Sequence, residues 1–306
     1  MHKKIVILGP TASGKTKLGT KLAYFLNGEI ISADSRQVYK YMDIGTGKDL
    51  CEYQLKIKNK IINIPYHLID IRDPKTNFNL AIYQKLVKKI IKKLEKENKV
   101  PILVGGTGLY LQAVVDNYNL EKQKNINSEF RKKYEKKNLD EIQKKFQKIQ
   151  NNFFQKLNNS EKNNKRRLIR YLEILKDNPN WQNNKKNSDR ENFLVFGLNP
   201  DREIIREKIK KRLKTRLNQG MITEVKNLHK KHKVSWKRLE SFGLEYKFIA
   251  YLLQKKINEK QMQEKLYIAI CQFAKRQMSW FKRWEKQGQK IHWIQNYREV
   301  KKIIKQ

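Results

Sequence analysis

Eight residues close to the start of the chain constrain its fold most. Gly9-Pro10-Thr11-Ala12-Ser13-Gly14-Lys15-Thr16 fits the pattern G-x-x-x-x-G-K-[ST]. It follows the apolar run Ile5–Leu8 and leads into a helical pattern that begins near Lys15, the strand–loop–helix setting that the pattern needs. Glycines there let the backbone curl until successive N–H groups face inward, and the helix N-terminus adds partial positive charge. Lys15 supplies a point charge for terminal phosphate oxygens, and the Thr16 hydroxyl can ligate Mg²⁺. The loop predicts a di- or triphosphate ligand. It selects neither the ligand nor the bond that breaks, because kinases, nucleotide hydrolases and diphosphate-using transferases share it.

The rest of the chain extends this start into a layered fold. Ile5–Leu8, Glu29–Ser32, His67–Ile71 and Val100–Val104 read as buried strands. Leu80, Tyr83, Leu86, Val87, Ile90, Ile91 and Leu94 recur at three- and four-residue spacing, which is a helix with one apolar face. Strands alternating with helices predict a parallel sheet with crossovers. Beyond Asp116 glycine and strand-like runs disappear. Phe130, Tyr134, Ile142, Phe146 and Ile149, then Leu168, Tyr171, Leu172 and Leu175, fall at helical spacing, and a loose tail is expected over 180–190. Phe193–Leu198 returns as a strand, Asn199-Pro200-Asp201-Arg202 forms a turn and cap, and Glu203–Asn218 reads as a helix followed by Gly220. Helix continues through Ile249–Leu253 and Met262–Trp284, with a last strand over Ile291–Ile294. The expected class is α/β: a P-loop NTPase-like parallel sheet flanked by helices, over residues 1–115 and 193–306. An all-helical domain is inserted over 116–192.

Charge narrows the partner. Sixty-nine Lys and Arg stand against 30 Asp and Glu, a formal charge of +39. Lysine far outnumbers arginine, and Asn and Ile are heavily used, so part of this charge is the drift of an AT-rich genome. The surface still attracts polyanions, whatever its origin. Cys51 and Cys271 are the only two cysteines, far apart and in no C-x-x-C pattern, which gives little support to a disulfide framework or a zinc cluster and fits a reducing cytoplasm. The four apolar residues after Lys3-Lys4 are too few for a secretory signal, and no run approaches the ~18–20 apolar residues of a membrane span.

Three polar, glycine-bearing stretches follow predicted strands or lie close behind them. They are Ser32–Tyr39 with Asp34, Met42–Lys48, and Gly105–Tyr110. In a parallel sheet the carboxyl ends of adjacent strands open on one crevice, so Asp34 is expected beside the reacting end of a bound diphosphate. Asp70, ending His67-Leu68-Ile69-Asp70, reads either as a metal-associated carboxylate after a strand or as a cap on a core strand. The spacing His229-x-x-His232 fits a solvated helix face better than a metal site. Lys275-Arg276 reads equally as a nucleic-acid contact or a basic helix face.

Gly9–Thr16, Ser32–Lys48, Tyr66–Ile71, Pro101–Leu111, Asn164–Leu175 and Ala274–Trp284 together resemble the ordered motif set of the tRNA dimethylallyltransferase (tRNA isopentenyltransferase) family. The resemblance implies transfer of a dimethylallyl group from dimethylallyl diphosphate to N6 of the adenosine 3′ of the tRNA anticodon, with Mg²⁺ assisting and pyrophosphate leaving. It implies that Gly9, Pro10, Thr11, Ala12, Ser13, Gly14, Lys15, Thr16 and Arg212 hold the diphosphate, with Thr16 also toward the metal. Asp34 is implied as the general base, with Thr11 lining the channel between the substrates and Lys15 and Arg212 facing the leaving group. Asp34, Ser35, Arg36, Gln37, Thr107 and the run Arg166, Arg167, Leu168, Ile169, Arg170 are implied as tRNA contacts. A monomer acting on the anticodon stem-loop in the cytoplasm is expected. Gly243-Leu244-Glu245-Tyr246 and Cys271 depart from the family's usual residues. The competing readings are a kinase that uses ATP on the same loop, and an ATP-regulated RNA binder without chemistry.

Overall fold

The computed structural model describes residues 4–120, 128–178 and 189–305. A six-stranded sheet positions the loops that follow its strands. Its strands are β1 (Lys4–Leu8), β2 (Gly28–Ser32), β5 (Tyr66–His67), β6 (Val100–Gly105), β7 (Phe193–Leu198) and β8 (His292–Ile294), in the spatial order β5-β2-β6-β1-β7-β8. Every pairing in it is parallel, with β1 central between β6 and β7. Because β1, β2 and β6 are buried along their length or nearly so, they read as continuous apolar runs, as sheets covered on both faces do. The helix Leu80–Lys96 buries Tyr83, Val87, Ile91 and Leu94 and is capped by Asn79, whose side chain accepts from the Ile82 amide. Parallel strands with their carboxyl ends aligned put the loop after β1, the turn after β2 and the turn after β6 along one edge.

Two elements differ from what the residues suggested. The strand expected over His67–Ile71 stops after two residues, because Leu68 and Asp70 both adopt positive φ, 64° and 56°. The chain wraps instead around the turn after β2: the amides of Ile71 and Arg72 both donate to the Val38 carbonyl. Leu68 and Ile69 are buried all the same, and burial alone does not make a strand. The second difference is a two-stranded hairpin, β3 (Gln54–Ile57) with β4 (Lys60–Asn63), turned by Lys58 and Asn59 in left-handed conformation.

The chain divides into two compact units, Met1–Asn117 with Asn187–Gln306, and Tyr118–Lys186. Asp116 and Arg190 therefore belong to the sheet-bearing unit. The second unit is helical, with Ser128–Glu135, Leu139–Lys156, Asn159–Lys162 and Lys165–Asp177; its core gathers Tyr134, Ile142, Phe146, Leu168 and Leu172 from the three longer helices. Asn138 and Asn158 cap two of these helices with reciprocal Glu partners. The tail expected over 180–190 lies, up to residue 188, outside the described residues. Among the described residues no helix is long and apolar enough to cross a membrane.

Candidate active site

The loop after β1 has the form a phosphate nest needs. The Ser13 amide donates to the Pro10 carbonyl, and the Lys15 ammonium folds back to the same oxygen at 3.2 Å. Ser13 Oγ is buried without a hydrogen-bond partner, a donor held ready inside the nest. Burial pulls Lys15 down to about 8; the nearby Asp34 carboxylate opposes that shift and the Arg212 guanidinium adds to it.

Thr11 is where the loop meets the rest of the site. Its amide donates to Gln277 Oε1 at 2.8 Å, and its hydroxyl accepts from Arg212 Nη2 at 2.5 Å. Gln277 comes from the long helix Glu259–Lys286 and passes its own amide hydrogen to the Gly106 carbonyl at 2.9 Å. One buried glutamine thus ties the phosphate loop to the turn after β6. The glycines of that turn are there for close approach: a Cβ on Gly105 would come within 2.3 Å of the Ala33 carbonyl oxygen, and one on Gly108 within 2.3 Å of Trp280.

Asp34 stands at the carboxyl end of β2. Its Oδ1 accepts from the amides of Arg36 at 2.8 Å and Gln37 at 3.3 Å, which closes the turn. Among the described residues Oδ2 has no such partner, and Asp34 lines the same cavity as Thr11 and Arg212, of about 240 Å³. Ser35 donates its amide to the Thr107 hydroxyl at 3.3 Å, so the turns after β2 and β6 are pinned together. Gln37 is turned away from the cavity: it accepts from Ser32 Oγ and donates to the Gly47 carbonyl, holding the Met42–Lys48 stretch. Arg36 faces the cavity between Glu245, 3.8 Å away, and the Phe273 ring.

Arg212 reaches Thr11 from the helix Arg202–Asn218, which Asp201 caps by accepting from the amides of Glu203 and Ile204. Burial and the neighbouring Arg216 lower Arg212 to about 10. Glu224 accepts from the amides of Asp43, Ile44 and Gly45 and from the Tyr246 hydroxyl. Within the departure at Gly243–Tyr246, Leu244 and Glu245 line the cavity, while Tyr246 is buried and secures the carboxylate that shapes its Gly45-Thr46 wall.

Other sequence candidates fall elsewhere. Asp70 is ion-paired with Lys48, a buried lysine that also reaches the Tyr39 carbonyl at 2.6 Å and Asp43 at 2.8 Å, so Asp70 anchors a turn. His229 stacks on Trp236 and contacts the Val234 carbonyl, and His232 stacks on Tyr41; among the described residues no cluster of three or more His, Cys, Asp or Glu could hold a metal. Both cysteines are free. Arg276 lines the cavity, whereas the adjacent Lys275 does not. In the helical unit the run Arg166–Arg170 is one stretch of the helix Lys165–Asp177. Leu168 and Ile169 are buried in that unit's core, so their side chains offer no surface to a nucleic acid. Arg166 is exposed, Arg167 pairs with Glu161 at 3.2 Å, and Arg170 pairs at 2.5 Å with the buried Glu173, which also holds Arg131.

Comparison with known proteins agrees on one family. The IPP transferase family profile matches residues 37–284. The tRNA dimethylallyltransferase 1 of Syntrophus aciditrophicus is 43% identical, aligned over 100% of this chain and 98% of its own. That of Azobacteroides pseudotrichonymphae is 44% identical over 97% and 94%. Among solved structures, the full-length tRNA isopentenylpyrophosphate transferase of Bacillus halodurans superposes with a TM-score of 0.67 at 29% identity, covering 100% of this chain and 95% of that one. A eukaryotic dimethylallyltransferase described as acting on tRNA superposes at 0.73 with 25% identity, covering 92% and 70%.

Proposed function

Because the chain belongs to the IPP transferase family, we propose that it transfers the dimethylallyl group of dimethylallyl diphosphate to N6 of the adenosine 3′ of the anticodon in tRNA, releasing pyrophosphate. The observation that carries this reading is a single cavity lined by Asp34, by Thr11 of the phosphate loop and by Arg212, which is hydrogen-bonded to Thr11. The exocyclic amine of adenine is a poor nucleophile, since its lone pair is delocalised into the ring. Asp34 Oδ2 accepts its proton as the bond from nitrogen to the allylic carbon forms. The bond from that carbon to the diphosphate oxygen breaks, and the departing pyrophosphate gathers charge against Lys15, Arg212 and the loop amides. To reach the carbon the base leaves its loop stack, which costs little in an unpaired anticodon loop. Phe273 and Trp280 on the cavity wall offer it a stacking surface beside Arg36 and Arg276.

The oxygen donors near the loop suit a hard divalent cation such as Mg²⁺. The Thr16 hydroxyl bonds the Glu52 carboxylate, which burial and the adjacent Asp49 push upward in pKa, and Thr16 with Glu52 would hold the ion beside the substrate's phosphate oxygens. When bound, the ion would neutralise part of the diphosphate charge. The chain is read as acting as a monomer in the cytoplasm.

Protein incubated with Mg²⁺, dimethylallyl diphosphate and an A-rich anticodon stem-loop should release pyrophosphate and add a five-carbon mass to the RNA. Phosphate transfer from ATP without that gain would favour a kinase instead. The pairing of Asp70 with Lys48 argues against the kinase, because it occupies the carboxylate that most resembled a nucleotide-metal ligand.

Lys15 gives the reaction a pH dependence. In the free protein its ammonium is charged below about 8 and neutral above, against 10.5 for an ordinary lysine. The profile of kcat/KM for dimethylallyl diphosphate should therefore fall on an alkaline limb near 8, as one positive charge leaves the nest. Stability moves the other way. Between about 8 and 10.5 the unfolded chain holds the extra proton, so the folded state without ligand gains stability as pH rises through that window. A flat profile from pH 7 to 10 would remove Lys15 from the diphosphate site.

The helical unit contributes tRNA affinity through Arg166 and Arg167, which point outward and rest on no buried partner. Changing both to Gln should weaken tRNA binding and reduce the slope of log K against log salt by roughly 1.5, as two lost phosphate contacts would. Arg170→Gln should act differently, lowering the stability of the helical unit by stripping a partner from the buried Glu173. Titrations at several salt concentrations, paired with thermal melts, separate the two effects.

A further inference from the structure

Arg212 is not alone on its helix face. Arg216, one turn further along Arg202–Asn218, lines the same cavity and is only 6% exposed. Its guanidinium sits where residue 47 has no side chain: a Cβ on Gly47 would come within 2.0 Å of Nη2 and 2.8 Å of Cζ. Gly47 holds φ at +67°, and its carbonyl is fixed by Gln37, so the seat is built into the Met42–Lys48 stretch. The counter-ion is weak. Arg216 Nη2 reaches Asp49 Oδ2 at 3.4 Å through one long contact, and the Asp49 side chain is 51% exposed. Arg212, for its part, bonds a neutral hydroxyl. Burial, and after it the charge of Arg216 on the same helix face, lowers Arg212, and an anion shared between the two guanidinium groups relieves that cost.

We propose that Arg216 is a second diphosphate-binding residue, which exchanges its single contact with Asp49 for forked hydrogen bonds to the diphosphate and brackets it together with Arg212. The inference rests on the proposed function, since it needs the loop Gly9–Thr16 to hold a diphosphate. A planar guanidinium suits this exchange because it can present two parallel N–H groups to two phosphate oxygens. Asp49 keeps the fork oriented until the anion arrives.

The test compares Arg216→Gln, Arg216→Lys and Gly47→Ala with the unaltered protein. Steady-state kinetics and calorimetric binding of inorganic pyrophosphate are the two readouts. Arg216→Gln should raise KM for dimethylallyl diphosphate about tenfold and weaken pyrophosphate binding by the same factor, with KM for the stem-loop unchanged within twofold. Arg216→Lys should fall between, keeping the charge but losing the fork. Gly47→Ala should match Arg216→Gln although the arginine remains, because the added methyl occupies its seat. Pyrophosphate binding within twofold of normal in all three variants would overturn the proposal, as would a rise confined to KM for the stem-loop. Failure of the underlying reading looks different: the unaltered protein would then neither bind pyrophosphate nor turn over dimethylallyl diphosphate.

Discussion

Asp34→Asn is expected to lower turnover by ~10²–10⁴-fold, the usual worth of a general base, while tRNA binds as before. Asparagine is the informative replacement. Asp34 Oδ1 accepts the amides of Arg36 and Gln37, and an amide oxygen can do the same, so the turn after β2 survives. What is lost is the basicity of the second carboxylate oxygen, Oδ2, which the turn does not use. Asp34→Ala removes both functions and should add a stability loss of about 1 kcal/mol, typical of a missing cap. The carboxylate also supports the charge on Lys15, so Asp34→Asn should move the alkaline limb of the pH profile below its normal position near 8. Single-turnover assays with filter binding of the stem-loop measure both sides. Parallel loss of RNA affinity and turnover in the asparagine variant would make Asp34 a structural residue.

The phosphate loop and Asp34 were legible in the residues because each depends on a few neighbours in sequence. A glycine-rich turn between a strand and a helix, or a carboxylate capping its own turn, is local chemistry. The parallel sheet was legible for a similar reason, since runs such as Ile5–Leu8 and Val100–Val104 are buried on both faces and leave no polar alternation to confuse. Gln277 was hidden by distance. Its partner Thr11 lies 266 positions away, and nothing in Ala274–Trp284 distinguishes a glutamine that bridges two loops from one on a solvated helix face. Arg216 was hidden among the other basic residues of its helix, whose charge reads as surface until Gly47 is seen beneath it. Asp70 was ambiguous because a carboxylate after an apolar run fits two structures. Its partner Lys48 comes from a different motif. The β3–β4 hairpin was missed because lysine and asparagine dominate its sequence, masking the inward alternation of Leu55, Ile57 and Ile62.

The second large effect concerns the place where the chain leaves the sheet-bearing unit and returns to it. Asp116 ends the helix Gly108–Val115 and is 4% exposed. Arg190, the first residue of the returning 3₁₀ turn, binds it with two donors, Nε at 2.6 Å and Nη2 at 3.0 Å. Gln112 Nε2 and Trp284 Nε1 also donate to this carboxylate, at 3.0 and 3.4 Å. The pair joins residues separated by 74 positions, so it closes the large excursion that contains the helical unit. Asp116→Ala leaves a guanidinium, an amide and an indole N–H facing a void. It is expected to destabilise the fold by about 3–5 kcal/mol, in the range for breaking a buried ion pair. Asp116→Asn keeps the shape and two acceptor lone pairs but loses the charge, so it should cost less. Arg190→Ala strands the carboxylate instead and should approach the cost of Asp116→Ala, while the double variant should cost less than the sum of the two. Urea unfolding of the four proteins measures this coupling. Strict additivity would mean that the two residues act independently, with the closure resting on the neighbouring backbone bond from the Asp189 amide to the Val115 carbonyl.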